Sequence, residues 1–231
     1  MTNRLEGLSE TVKWRLMVEA AKKGAMAQGY TLQRLPGRGL SNIWTITKDG
    51  KSQRASIRTT RDRWIAFPPL DKGKRWRTLD EVEAVIVASV DSREEPENVE
   101  VYIFPADEVR KRFHAAYTAR INDGQKVRDN FGMWVGLDRD ERGIAASVGS
   151  GITEKFKHVA VYAIEDLLAE NADKLAAAEE SAGEAETLET VEAAAPRLTT
   201  IAEVIAWARE QLAEIAGVKL DAIKLDLRIE Y

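Results

Sequence analysis

Apolar and polar positions mark out elements along most of the chain. In residues 8–28, Val12, Leu16, Ala20 and Met26 recur at near-helical spacing, and Trp14 and Val18 widen the stripe. Ser9 or Thr11 supplies the cap and Gly29 the stop. Residues 31–35 predict a strand and Pro36-Gly37-Arg38-Gly39 a turn. Ile43, Trp44 and Ile46 are β-formers, and the Asp49-Gly50 pair that follows predicts a tight hairpin. A type I′ turn needs positive φ at both central positions, which Asp and Gly tolerate. On the return strand, residues 53–60, Ala55 and Ile57 fall on one face and Arg54, Ser56 and Arg58 on the other. Residues 63–67 predict the third strand of an antiparallel meander. Pro68-Pro69 ends it, because proline has no backbone donor.

Further along, residues 82–90 (VEAVIVASV) are nearly continuous apolar and predict a buried strand, with residues 99–104 as its neighbour. Pro105 then opens a helix striped by Val109, Phe113, Ala116 and Tyr117. FGMWVGL at 131–137 and the apolar run at 159–164 predict two more strands, and the chain turns helical from Glu165. Residues 166–197 are rich in Ala and Glu and predict a linker. Patterning returns in residues 198–231. Thr200-Ile201-Ala202-Glu203 forms a capping box, and Ile201, Val204, Ile205, Ala208, Leu212 and Ile215 share one helical face. Ile223, Leu225, Leu227, Ile229 and Tyr231 then alternate with Lys224, Asp226, Arg228 and Glu230. Such a helix–strand pair buries too little to stand alone, so it predicts a docking module or a two-fold homodimer contact. The expected fold is α/β (α+β): a mixed sheet with an N-terminal antiparallel meander flanked by helices, plus this C-terminal module. The expected domains are 1–165, the linker 166–197 and the module 198–231.

Composition narrows the chemistry. A hydrophobic content of 44% with 31% charged residues suits a soluble globular chain, and no apolar run has the length of a membrane helix. Neither a membrane partner nor a signal peptide is therefore expected, and a cytoplasmic location fits. With no cysteine, there is no disulfide, thiolate zinc site or cysteine nucleophile. Two histidines, His114 and His158, are too few to predict a histidine-based metal site. The carboxylates of Asp138-Arg139-Asp140-Glu141 match no calcium-loop spacing. No cofactor and no metal are expected.

The net charge of −4 hides an asymmetry. Residues 1–163 carry 28 Lys+Arg against 22 Asp+Glu, whereas residues 164–231 carry 6 against 16. Residues 51–77 concentrate the excess, with nine basic and two acidic side chains. Basic groups neutralise phosphates and indoles stack on bases. The expected partner is therefore DNA or RNA, contacted by Arg54, Arg58, Arg61, Arg63, Lys72, Lys74, Arg75, Trp76 and Arg77.

The order of helix, three-stranded meander, further strands and then VYIFPADEVRKRF, a strand delivering a helix, resembles the restriction-endonuclease-like, PD-(D/E)xK, core. That resemblance covers about residues 8–137. It lays Asn42 on the family's first acid and Ser56-Ile57-Arg58 on its acidic-x-Lys triplet. Neither carboxylate is present, so the resemblance implies a DNA-associated scaffold that has lost its metal site. The expected function is non-catalytic nucleic-acid binding, with homo-oligomer assembly through residues 198–231. The alternatives are a protein–protein or regulatory scaffold, and a divergent metal-dependent nuclease using Asp62, Asp71 or Asp91.

Overall fold

Ser9 starts the first helix of the computed structural model, which describes residues 4–35 and 43–181. Its hydroxyl oxygen accepts from the Val12 amide at 3.3 Å. Helix α1 (Glu10–Ala27) follows, and Gly29, at φ +85°, lets the chain leave it. Val12, Leu16 and Ala20 are buried as their spacing predicts. Met17 and Ala21 are buried too, whereas Met26 is exposed.

Strands β1 (Thr31–Arg34), β2 (Ile43–Lys48) and β3 (Lys51–Thr60) form an antiparallel meander. Asp49 and Gly50 both have positive φ at the β2–β3 turn, and Lys48 faces Lys51 across it. The chain then passes through β4 (Trp64–Phe67), β5 (Pro69–Leu70), β6 (Arg75–Trp76) and a 3-10 turn at Leu79–Glu81. It re-enters the sheet as β7 (Ala84–Val90), parallel to β3, and returns as antiparallel β8 (Asn98–Pro105). Helix α2 (Ala106–Asn122), β9 (Met133–Gly136) and the short helices α3 (Ile144–Ser147) and α4 (Ile152–Lys155) come next. Strand β10 (Ala160–Ala163), α5 (Ile164–Glu170) and α6 (Ala172–Ser181) complete the described chain. The main sheet is mixed, in the order β1-β2-β3-β7-β8-β10.

One strand differs from expectation. The third strand of the meander is β1, not residues 63–67. At the end of β3, Asp62 accepts from the Thr60 hydroxyl and the Trp64 amide, and Arg63 takes a positive φ. That turn lifts β4 off the sheet, where it pairs with β9 in a separate antiparallel ribbon.

Strand alternation splits the core between the two faces. On one, Ala55, Ile57, Ile86, Ala88, Val99 and Val101 pack under α1. Leu167 of α5 and Leu175 of α6 are buried in the same cluster. Residues 166–181 of the segment expected as linker are thus helical and packed on α1. Lys23–Glu170 and Lys174–Glu19 ion pairs tie them down. The rest of that segment, and the helix–strand module expected at 198–231, lie outside the described residues. On the opposite face, Val85, Val87, Tyr102 and Phe104 meet Phe67, Trp76 and Phe113 from β4, β6 and α2. Among the described residues no helix is long and apolar enough to cross a membrane.

Candidate nucleic-acid interface

The nine residues expected to form one surface are distributed over several. Arg61 makes a two-point ion pair with Glu10 on the first turn of α1, at 2.5 and 3.1 Å. Arg58 lies with its guanidinium 4.5 Å from the Phe67 ring centroid, so β4 covers it. Arg54 is exposed on β3, where its amide donates to Glu83 at 2.6 Å. Arg63 turns inward, as described below. Ser56 and Arg58, the positions that the family resemblance lays on an acid and a lysine, lie on this same face of β3, and Ser56 is fully buried. Asn42 is outside the described residues.

Trp76, expected on the surface, is buried. Its indole is 1% exposed and packs edge-on against Phe113, His114 and Tyr117 of α2, at centroid distances of 5.2, 5.6 and 6.2 Å. Its N–H donates to Nδ1 of His114 at 3.4 Å. In the two-residue ladder of β5 and β6, strand alternation sends Trp76 inward and leaves Arg75 and Arg77 exposed. Trp76 is a core residue and presents no face to a base.

What remains is a basic hairpin. Lys72, Lys74, Arg75 and Arg77 lie on or beside β5 and β6, all exposed. Asp71, Lys72 and Gly73 have positive φ at its tip. A side chain at Gly73 would meet the Tyr117 ring at 2.6 Å, so glycine is what allows the tip to lie on α2. Arg75 pairs with Asp71 at 2.6 Å. Among the described residues no carboxylate pairs with the side chains of Lys72, Lys74 or Arg77.

A second segment is zipped onto this hairpin. The Asn130 amide donates to the Pro69 carbonyl at 2.9 Å. The Lys72 amide donates to Asp129, and Arg77 Nη2 donates to Asn130 Oδ1 at 2.5 Å. The segment carries two further exposed cations, Lys126 and Arg128, and it leads directly into an exposed aromatic pair. Phe131 is 54% exposed and Trp134 39%, with ring centroids 6.0 Å apart and planes at 74°. FGMWVGL reads as a strand, and β9 is covered on one face only. Met133 and Val135 point inward, so Trp134 must point out. The alternation was visible in the sequence; which face lacked a cover was not.

Arg63 organises the other end of the β4–β9 ribbon. Its guanidinium donates to Asp138 through Nε at 2.5 Å and Nη2 at 3.0 Å. It also reaches Glu100 at 2.8 Å, the Val90 carbonyl at 2.7 Å and the Tyr102 hydroxyl at 3.2 Å. These hydrogen bonds, that to Asp138 first, hold the guanidinium firmly in its charged form. The same contact holds the Asp138 carboxyl below its ordinary range. Burial, followed by the hydrogen bond to Glu100, pushes the Tyr102 phenol up to about 12. Arg63 is therefore a structural clamp and is withdrawn from the polyanion surface.

The carboxylates weighed for a nuclease stand apart. Asp62 and Asp71 each sit in a turn, and Asp91 accepts the amides of Ser92, Glu97 and Asn98 between the end of β7 and the start of β8. Among the described residues no three His, Asp or Glu side chains group as metal ligands. No protein-family model, curated protein or solved structure matches this chain.

Proposed function

We propose that this protein binds single-stranded nucleic acid, without chemistry of its own, along the β5–β6 hairpin and the segment from Lys126 to Trp134. The observation that carries this reading is an exposed aromatic pair, Phe131 and Trp134, in the segment hydrogen-bonded to the basic hairpin. Cations beside exposed rings suit a single strand. The charges track the phosphates, and each ring offers a face to a base whatever its identity. A duplex hides its base faces, so the rings add less there. The alternating strand pattern of residues 223–231 supports assembly of copies through the C-terminal module.

The test is a series of fluorescence anisotropy titrations with labelled single strands and duplexes, DNA and RNA, at several salt concentrations. Single strands bind more tightly than duplexes, and log affinity falls linearly with log salt. Absence of binding, or affinity indifferent to salt, overturns the proposal. The second reading, a protein partner, draws on the exposed Ile121 and Ile144. A partner retained after nuclease treatment of the lysate favours that reading.

A further inference from the structure

An open, solvent-facing cavity of about 390 Å³ lies beside Asp138, where the β4–β9 ribbon ends. This is the end of the ribbon opposite Phe131, and the paired stretch of β9 between them spans roughly 10 Å. Its volume falls in the range of small-molecule sites. Tyr102 and Asp138 line it on one side, and Thr153 and Glu154 of α4 on another. Arg139, Lys157 and His158 supply the remaining wall.

The polar groups divide into committed and available ones. Arg63 and the Thr153 hydroxyl, the latter at 2.9 Å, already engage Asp138, so that carboxylate is fixed in place while still half exposed. The Tyr102 hydroxyl is held between Glu100 at 2.6 Å and Arg63. In contrast, the Glu154 carboxylate and the Lys157 ammonium have no side-chain partner among the described residues. His158 sits edge-on to Tyr102, 6.2 Å between centroids, with its Nδ1 4.0 Å from Glu100. Among the described residues Arg139 pairs only with Glu141, at 3.3 Å and in an exposed position. The cavity thus offers N–H donors from Lys157, His158 and Arg139 and the uncommitted carboxylate of Glu154, while Asp138 keeps one acceptor site beyond the three hydrogen bonds it already takes.

A complementary ligand carries an anionic group and N–H donors in one molecule of modest size. We propose that this cavity binds a nucleotide, with the phosphate toward Lys157 and Arg139 and the base N–H groups toward Glu154 and Asp138. Choosing a nucleotide among such ligands rests on the nucleic-acid reading of the hairpin surface. The same chemistry comes from two sources, a free mononucleotide or the terminal nucleotide of a strand lying along the ribbon.

Calorimetric titration of the full chain with adenosine and cytidine monophosphates, adenosine and inorganic phosphate tests this. In parallel, anisotropy compares labelled strands with and without a terminal phosphate. A mononucleotide that binds more tightly than either phosphate or adenosine supports the site. Lys157→Ala and Glu154→Gln then each weaken it at least about fivefold, or about 1 kcal/mol, with circular dichroism unchanged. A preference for the phosphorylated end, lost in Lys157→Ala, identifies the strand terminus as the source. Phosphate binding as well as the mononucleotide, or no mononucleotide heat together with no end preference, overturns the proposal. Strand affinity in the same samples reports separately on the hairpin surface, so either idea fails without the other.

Discussion

Arg63 and Asp138 face each other fork to fork, two near-parallel hydrogen bonds joining the start of β4 to the end of β9. The Arg63 side chain is only 18% exposed, and it also holds Glu100, which is 20% exposed. Removing it leaves Glu100 without its cation in a poorly solvated place, and the half-exposed Asp138 without its two-point partner. Arg63→Ala therefore costs about 2–4 kcal/mol of folding stability, read by urea denaturation. A surface arginine costs within about 0.5 kcal/mol, and a loss that small contradicts the clamp.

Two groups in this cluster give stability a defined pH dependence. Asp138 titrates lower in the folded chain than in the unfolded one, where a carboxyl lies at about 3.9. Its contribution is complete above that value and is lost as pH falls through the folded value. Tyr102 is shifted the other way. Its contribution is complete below the unfolded phenol value of about 10 and is lost as pH rises toward about 12. Thermal melts of Asp138→Asn lose part of the acid-side slope of the parent. Absorbance titration of tyrosinate loses its latest component in Tyr102→Phe. If that component persists, the phenol at about 12 is another residue.

Helix α1 approaches β8 at Gly24, where a Cβ would sit 2.7 Å from Val101 Cγ1 and 2.9 Å from Val101 Cβ. Helix propensity alone favours Gly24→Ala by about 1 kcal/mol. Overpacking costs about 1–3 kcal/mol, and the fully buried valine has nowhere to retreat. Gly24→Ala thus lowers the melting temperature. Combined with Val101→Ala, it shows a favourable coupling of about 0.5 kcal/mol or more. A stabilised single variant places α1 farther from the sheet.

Local pattern carried much of this fold, and distant partners carried the rest. Asp49-Gly50 announced its hairpin, because the turn's backbone demand is met by those two residues alone. The apolar run at 82–90 announced a buried strand, and every residue of β7, which starts at Ala84, is buried. Arg63 looked like one surface cation among nine. Its partners Glu100 and Asp138 lie 37 and 75 residues away, where no periodicity points to them. The same limit applies to Leu167 and Leu175. Their placement suggests a continued helix, but nothing local to them shows that α1 supplies the surface that buries them. Charge clustering located the basic segment but was silent on which side chains the fold consumes.

Trp76 and Trp134 separate folding from binding. Trp76 fills the space between the hairpin and α2, and Trp76→Ala opens a large cavity there. The expected cost is about 3–5 kcal/mol of stability, read by urea denaturation. Phe131 and Trp134 touch each other at the surface, with solvent on their outer sides. Phe131→Ala and Trp134→Ala each leave stability within about 1 kcal/mol of the parent. Each weakens single-strand binding by about 1–3 kcal/mol and leaves the salt slope unchanged, because no phosphate contact is removed. Lys74→Ala does the reverse, reducing the slope by about 1 with no stacking lost. Anisotropy titrations of the four variants at two salt concentrations resolve the contributions. If Phe131→Ala and Trp134→Ala bind single strands as the parent does, the rings take no part. The hairpin would then act as an electrostatic surface, indifferent to whether the bases are paired.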